Sequence, residues 1–187
     1  MALSKIDVAN MLTGATPVAN GGTALTSGFT NGFTGMADVW RVTSGFTNSA
    51  DPIASNWERA DTYGFGKLGT GMTESSGIFT FPSTGIYRIS FNVYFNLNGD
   101  DRLMESKIKT TTNNSDYNFL SDAVSFIQQT GGALTYANSS NEGIFDVTST
   151  STHKCAFRVN VANSSTAIAG DSNISATYVT FTRLGDT

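Results

Sequence analysis

The clearest pattern in the chain begins at Gly85, where Tyr87, Ile89, Phe91, Val93, Phe95 and Leu97 alternate with Arg88, Ser90, Asn92, Tyr94 and Asn96. A spacing of two puts the first set on one face of an extended strand, whereas a helix would scatter those side chains around its circumference. The stretch is read as a long strand with one face buried against an opposing sheet. It ends at Asn98-Gly99, a dipeptide suited to positive φ at both central positions of a tight hairpin, so a return strand is expected over about 102–112. A second alternation buries Cys155, Phe157, Val159 and Val161 and leaves Ala156, Arg158 and Asn160 opposite.

Shorter strands are predicted over 39–42, 78–81, 143–148 and 177–184, each bounded by Gly, Asn, Ser or Pro. Residues 119–129 fit either a short helix or a strand. Many short strands separated by turn residues mean an all-β antiparallel chain, a sandwich or a jelly roll. A length of 187 residues supports one such domain, expected over 38–187. The 13 Phe, 6 Tyr and 2 Trp are enough to fill its interior.

Residues 1–37 read differently. Gly14, Gly21, Gly22, Gly28, Gly32 and Gly35 punctuate short polar stretches, which predicts an extended arm. Its concentrated apolar residues are Leu3, Ile6, Val8, Met11 and Leu12, the candidates for docking onto another protein. The string Thr26-Ser27-Gly28-Phe29-Thr30-Asn31 recurs once, at Thr43-Ser44-Gly45-Phe46-Thr47-Asn48. Two copies fall short of the three or more that a solenoid needs.

Only 14% of residues are charged, against about 25% in an average protein, so Ser, Thr, Asn and Gly must wet the surface. A net charge of −4 leaves no basic stripe to neutralise a run of phosphates, which argues against nucleic-acid binding. No apolar run approaches the ~20 residues needed to cross a bilayer, and the N-terminus lacks a charged-then-apolar leader. The expectation is therefore a soluble protein with no membrane insertion. Cys155, the single cysteine, excludes an internal disulfide and fits assembly in a reducing cytoplasm.

The stretch from Ser76 to Phe91 contains Gly77-Ile78-Phe79, then Pro82, then Gly85-Ile86-Tyr87 and alternating aromatics. It resembles a signature of the complement-q and tumour-necrosis-factor jelly rolls. Gly170-Asp171 followed by Ala176-Thr177-Tyr178-Val179-Thr180-Phe181 is similar to the closing strand of the same family. The resemblance implies a jelly roll that associates as a compact homotrimer, with Phe79, Tyr87, Phe91, Phe95, Phe157, Tyr178 and Phe181 as its core and trimer framework. No collagen-like stalk precedes the domain. Instead, the arm carries Pro17-Val18-Ala19-Asn20-Gly21-Gly22-Thr23, similar to a string common in phage fibre and appendage proteins, although Ala24 stands where a further Gly often follows.

Catalytic chemistry is sparse. Nucleophilic catalysis needs a base held by a third group. His153 is the only histidine, two residues from Cys155, which on a strand is roughly 7 Å along one face. One His and one Cys fall short of the four ligands of a zinc site. Gly64-Phe65-Gly66-Lys67-Leu68-Gly69 matches a dinucleotide-binding spacing but lacks the flanking strand and helix, so it reads as a Gly-rich loop. Asp100-Asp101 reads as a solvated turn, with calcium as the alternative. The sequons at Asn113, Asn138, Asn163 and Asn173 are expected to stay bare without a secretion signal.

These readings predict a non-enzymatic structural protein of a bacteriophage virion, without cofactor or metal, a capsid decoration or tail-fibre component assembled in the bacterial cytoplasm. Its partners would be its own copies and other virion proteins of capsid or tail. The alternative is a recognition module of the same fold that binds a host surface glycan or receptor, with Trp57, Tyr63, Tyr117 and Tyr136 as exposed-aromatic candidates.

Overall fold

The computed structural model describes residues 35–187, which fold as two antiparallel sheets with no helix among the described residues. The strands are β1 (Met36–Val42), β2 (Phe46–Thr47), β3 (Trp57–Arg59), β4 (Thr73–Ser75), β5 (Ile78–Thr80), β6 (Gly85–Leu97), β7 (Asp101–Thr111), β8 (Asn118–Ile127), β9 (Thr135–Val147), β10 (Lys154–Val161), β11 (Ala167–Ile168) and β12 (Tyr178–Gly185). The first sheet runs β2-β11-β6-β12-β1-β3, with β9 also paired to β6; the second runs β4-β5-β10-β7-β8. This is the antiparallel jelly-roll sandwich expected from the strand pattern together with the family resemblance.

The long alternation is reproduced residue by residue. Tyr87, Ile89, Phe91, Val93, Phe95 and Leu97 are all buried, and they face Met104, Ile108, Cys155, Phe157 and Val159 of the second sheet across one continuous core. Phe79 sits in its middle, with ring centroids 5.3 Å from Phe157, 5.3 Å from Phe181, 5.4 Å from Trp57 and 5.6 Å from Trp40. Edge-to-face contacts of this kind add to the transfer energy of burying each ring. The resemblance motif thus supplies the core's central ring. Its glycine has a local cause too: Gly77 sits at φ +80°, and a Cβ there would lie 2.4 Å from the Ile53 carbonyl oxygen.

The hairpin expected at Asn98-Gly99 does not form. Strand β6 is bonded to β9 and β12, whereas β7 is bonded to β8 and β10 in the other sheet. The reason is burial. Both β6 and β7 carry an apolar face, and the crossover sets those two faces against each other in the core. Crossing between the sheets lets each cover the other.

Residues 119–129, open between helix and strand in sequence, fall mainly in β8, at the edge of the second sheet. Strand β9 is far longer than the predicted 143–148. Its inward residues Ser139 and Asn141 are polar, and their partners lie inside the sandwich. Asn141 Nδ2 donates to the Ser106 carbonyl at 2.7 Å, Ser139 Oγ lies 2.6 Å from Ser106 Oγ, and Ser139 Oγ also donates to the Ala123 carbonyl at 3.0 Å. Buried polar groups are tolerated when satisfied in this way.

The second copy of the duplicated hexapeptide forms the turn into β2, where Phe46 and Thr47 pair with Ile168 and Ala167. The chain then straps the two sheets together. Ala50 exchanges backbone hydrogen bonds with Val159, both at 3.0 Å, and the Ile53 amide donates to the Phe157 carbonyl at 2.8 Å, before β3 returns to the first sheet.

Candidate functional site

The residues with catalytic potential are tied up in structure. Cys155 is fully buried, and burial pushes its thiol well above the ordinary range, so it stays protonated and fills space in the core. His153 is also buried. Its Nε2 lies 3.2 Å from Thr148 Oγ1 and its Nδ1 3.0 Å from Thr152 Oγ1, with the ring against Phe145. Both ring nitrogens are thus paired with threonine hydroxyls, and no hydrogen bond joins the ring to Cys155.

Asp101 is buried. Its carboxylate accepts hydrogen bonds from the Leu103 amide at 3.0 Å, the Ala162 and Asn163 amides at 3.3 Å, and the Thr166 hydroxyl. Those donors make it a clamp between the start of β7 and the loop after β10. The neighbouring Asp100 accepts from the Gln129 amide at 2.6 Å. Among the described residues no group of three or more His, Cys, Asp and Glu is placed to hold a metal ion. The Gly64–Gly69 segment is a loop, as expected, with Leu68 bridged to Ala37 and Lys67 Nζ donating to the Gly69 and Thr70 carbonyls.

Of the framework residues, Phe79, Tyr87, Phe91, Phe95, Phe157 and Phe181 lie in the core. Tyr178 lies outside it, on the outward face of the first sheet, because the adjacent Val179 takes the inward position. The docking candidates Leu3, Ile6, Val8, Met11 and Leu12 fall outside the described residues. Among the exposed-aromatic candidates, Trp57 packs into the core edge and donates its indole N–H to the Ile53 carbonyl at 2.7 Å, and Tyr117 is half-buried. Tyr63 is 83% exposed and Tyr136 is 55% exposed, so these two are available at the surface.

Two outward surfaces carry apolar side chains. On the first sheet, Arg41, Tyr178, Asn92 and Ser140 lie in one row across β1, β12, β6 and β9. Beside it, Tyr94 and Tyr136 stack with centroids 5.6 Å apart at 29°. With Tyr178 and Asn138 they line a shallow concavity of about 660 Å³. Ser175 Oγ is buried at its margin and has no hydrogen-bond partner among the described residues. Farther along the same face stand Ile144 and Leu184, both exposed. The other surface is the β8 edge, where Val124 and Phe126 point outward and Leu134 follows in the next loop, all exposed.

Sequence reasoning missed Arg41. It is fully buried and donates to Glu58 Oε1 at 2.8 Å, Asp61 Oδ1 at 2.8 Å, Thr62 Oγ1 at 2.9 Å and the Asn173 carbonyl at 3.2 Å. These bonds draw the 60–72 and 171–176 loops together beside the tyrosine face. The only trace in sequence is a charged residue inside an apolar strand.

No protein-family model and no curated protein matches this sequence. Solved structures do. Murine APRIL superposes with a TM-score of 0.57 at 14% identity, over 81% of this chain and 100% of that one. Eiger TNF from S. frugiperda gives a TM-score of 0.58 at 12% identity, over 82% of this chain and 94% of that one. At this identity the likeness establishes the fold, a jelly roll of the tumour-necrosis-factor type.

Proposed function

We propose that the chain is a non-enzymatic structural protein of a bacteriophage particle, a homotrimeric jelly roll displayed as a capsid decoration or tail-fibre component. The observation that carries this reading is the placement of exposed apolar side chains on two different surfaces of one sandwich. The tyrosine face of the first sheet and the β8 edge with Val124 and Phe126 are unlike patches. Unlike patches that fit one another make a head-to-tail contact, and a head-to-tail contact whose rotation closes gives a ring. Association buries the grease that one subunit leaves exposed. The sequence resemblance supplies the expected count of three.

The phage assignment draws on the Pro17 to Thr23 string of the arm, and the arm is the proposed anchor to capsid or tail proteins through Leu3, Ile6, Val8, Met11 and Leu12. Assembly in the bacterial cytoplasm fits the single unpaired cysteine. The engaged His153 and the inert Cys155 support a role without turnover. Two measurements test the reading. The solution mass should be three times 19.8 kDa, and a 19.8 kDa species at micromolar concentration overturns the trimer. Deleting residues before Gly35 should leave that oligomer intact and abolish incorporation into particles, and normal incorporation overturns the anchor.

A further inference from the structure

The outward face of the second sheet holds a charge arrangement that folding alone disfavours. Lys107 on β7 and Arg158 on β10 are direct cross-strand partners, two like charges placed opposite each other. Lys109 and Lys154 stand on the same face, so four of the chain's eleven cationic residues gather there in an acidic protein. Three carboxylates answer them. Lys107 Nζ lies 2.9 Å from Glu105 and 3.6 Å from Asp122, and Lys109 Nζ lies 2.6 Å from Asp51. Asp51 is shared with Arg158, but at 3.7 Å. The Arg158 guanidinium makes no hydrogen bond among the described residues and rests 5.8 Å from the centroid of Phe119, whose ring also carries Lys107 Nζ at 4.3 Å. Phe119 itself is 53% exposed. A half-buried guanidinium held only by a long ion pair and a ring contact, beside a half-exposed aromatic side chain, is thus built into a regular part of the sheet.

We propose that Arg158, Lys107 and Phe119 form a binding site for an acidic polysaccharide. The planar guanidinium presents parallel N–H donors that match one carboxylate in two-point contact. The ring offers an apolar surface for the C–H face of a sugar, and the ammonium of Lys107 adds a second donor to the same anion. Chemistry selects this ligand over other polyanions. Four cations against three carboxylates leave about one net positive charge, too little to neutralise a run of nucleic-acid phosphates or to hold an anionic membrane, which takes a cluster of several uncompensated basic residues. A sugar acid that carries one carboxylate per ring fits both the sparse charge and the aromatic face. The site lies on the sheet opposite the tyrosine face, and on β8 it uses Phe119 rather than Val124 and Phe126 of the proposed subunit contact.

Titration calorimetry of the full-length protein with polygalacturonate oligosaccharides, against neutral dextran oligosaccharides of equal length, tests this. Binding is expected for the acidic sugar alone and should weaken as salt is raised. Arg158→Gln and Phe119→Ala should each weaken it roughly tenfold or more, while Lys67→Gln, which removes the same charge from a distant loop, leaves it unchanged. The unfolding temperature of each variant checks that the fold survives. Absence of binding to the acidic sugar, or binding indifferent to both Arg158→Gln and Phe119→Ala in folded protein, overturns the site. Equal affinity for DNA or anionic phospholipid vesicles overturns the saccharide assignment. The solution mass reports the trimer separately, so either idea can fail without the other.

Discussion

Leu120 of β8 fills the space that a side chain at position 143 of β9 would need: a Cβ built on Gly143 would lie 2.7 Å from both Cγ and Cδ2 of Leu120. The two strands belong to different sheets, and this contact closes the sandwich at its β8/β9 edge. Replacing Gly143 by Val should push Leu120 outward and lower stability by about 1–3 kcal/mol, the usual cost of overpacking. Urea unfolding of the variant checks the magnitude, and Leu120→Ala in the same background should recover part of the loss.

Asp38 is a second brace, fully buried on β1. It accepts hydrogen bonds from Arg59 Nε at 2.9 Å, the Met72 amide at 2.7 Å and Trp40 Nε1 at 3.0 Å. Asp38→Ala strands those donors, one of them the buried Met72 amide, and because the Arg59 guanidinium keeps access to water should cost roughly 1–3 kcal/mol. A fall in the urea midpoint with an unchanged slope is the expected result.

Asp101 should behave as a clamp. With its oxygens engaged by Thr166 and three amides, millimolar calcium or a chelator is expected to leave the unfolding temperature unchanged, whereas Asp101→Ala lowers it. Differential scanning calorimetry in the two buffers separates a clamp from a cation ligand.

Cys155 sets a limit at alkaline pH. Its thiol is raised above the ordinary 9.0 in the fold, so near that pH the unfolded chain loses a proton that the folded chain keeps. Stability from this group is fully present below the unfolded value and is lost as pH rises above it. Parent protein and Cys155→Ala compared between about pH 8 and 10 should diverge, with the steeper decline in the parent. Tyr117, raised by burial and then by the neighbouring Cys155, adds a further decline above its ordinary 10.0, which Cys155→Ala reduces in part.

The proposed subunit contact makes its own prediction. Phe126→Lys places a charge on the β8 edge, and Tyr136→Glu places one on the tyrosine face. Each should yield a folded monomer by sedimentation, and mixing the two should not restore trimers because every ring needs both surfaces from each copy. A trimer in either variant moves the contact elsewhere.

The strands that sequence exposed are those whose inward residues are apolar. β6 and β10 each face a greasy partner sheet, so their period of two appears in the order of residues. β9 escaped because Ser139 and Asn141 point inward and are satisfied by Ser106 and Ala123, partners more than ten residues away in the chain. Tyr178 was readable in principle, since Val179 and Phe181 claim the inward positions and leave it facing outward. Arg41 was not, because burial of a guanidinium depends on Glu58 of β3 and on Asp61 and Asn173 from two separate loops converging on it.

Local order of residues thus determined the strand character, the buried stripes from Tyr87 to Leu97 and Cys155 to Val161, and the aromatic motif around Phe79. Those features rest on the backbone's two-residue repeat and on the exclusion of grease from water, both of which act within a few residues. Which strands pair was decided only in three dimensions. Asn98-Gly99 can make a hairpin, yet β6 and β7 enter different sheets, β6 pairing with β9 and β12 while its apolar face covers that of β7 across the core. The same holds for the surfaces. Arg158 meets Lys107 and Phe119 only because β7, β8 and β10 are neighbours in one sheet, and strand order is a property of the whole packed chain.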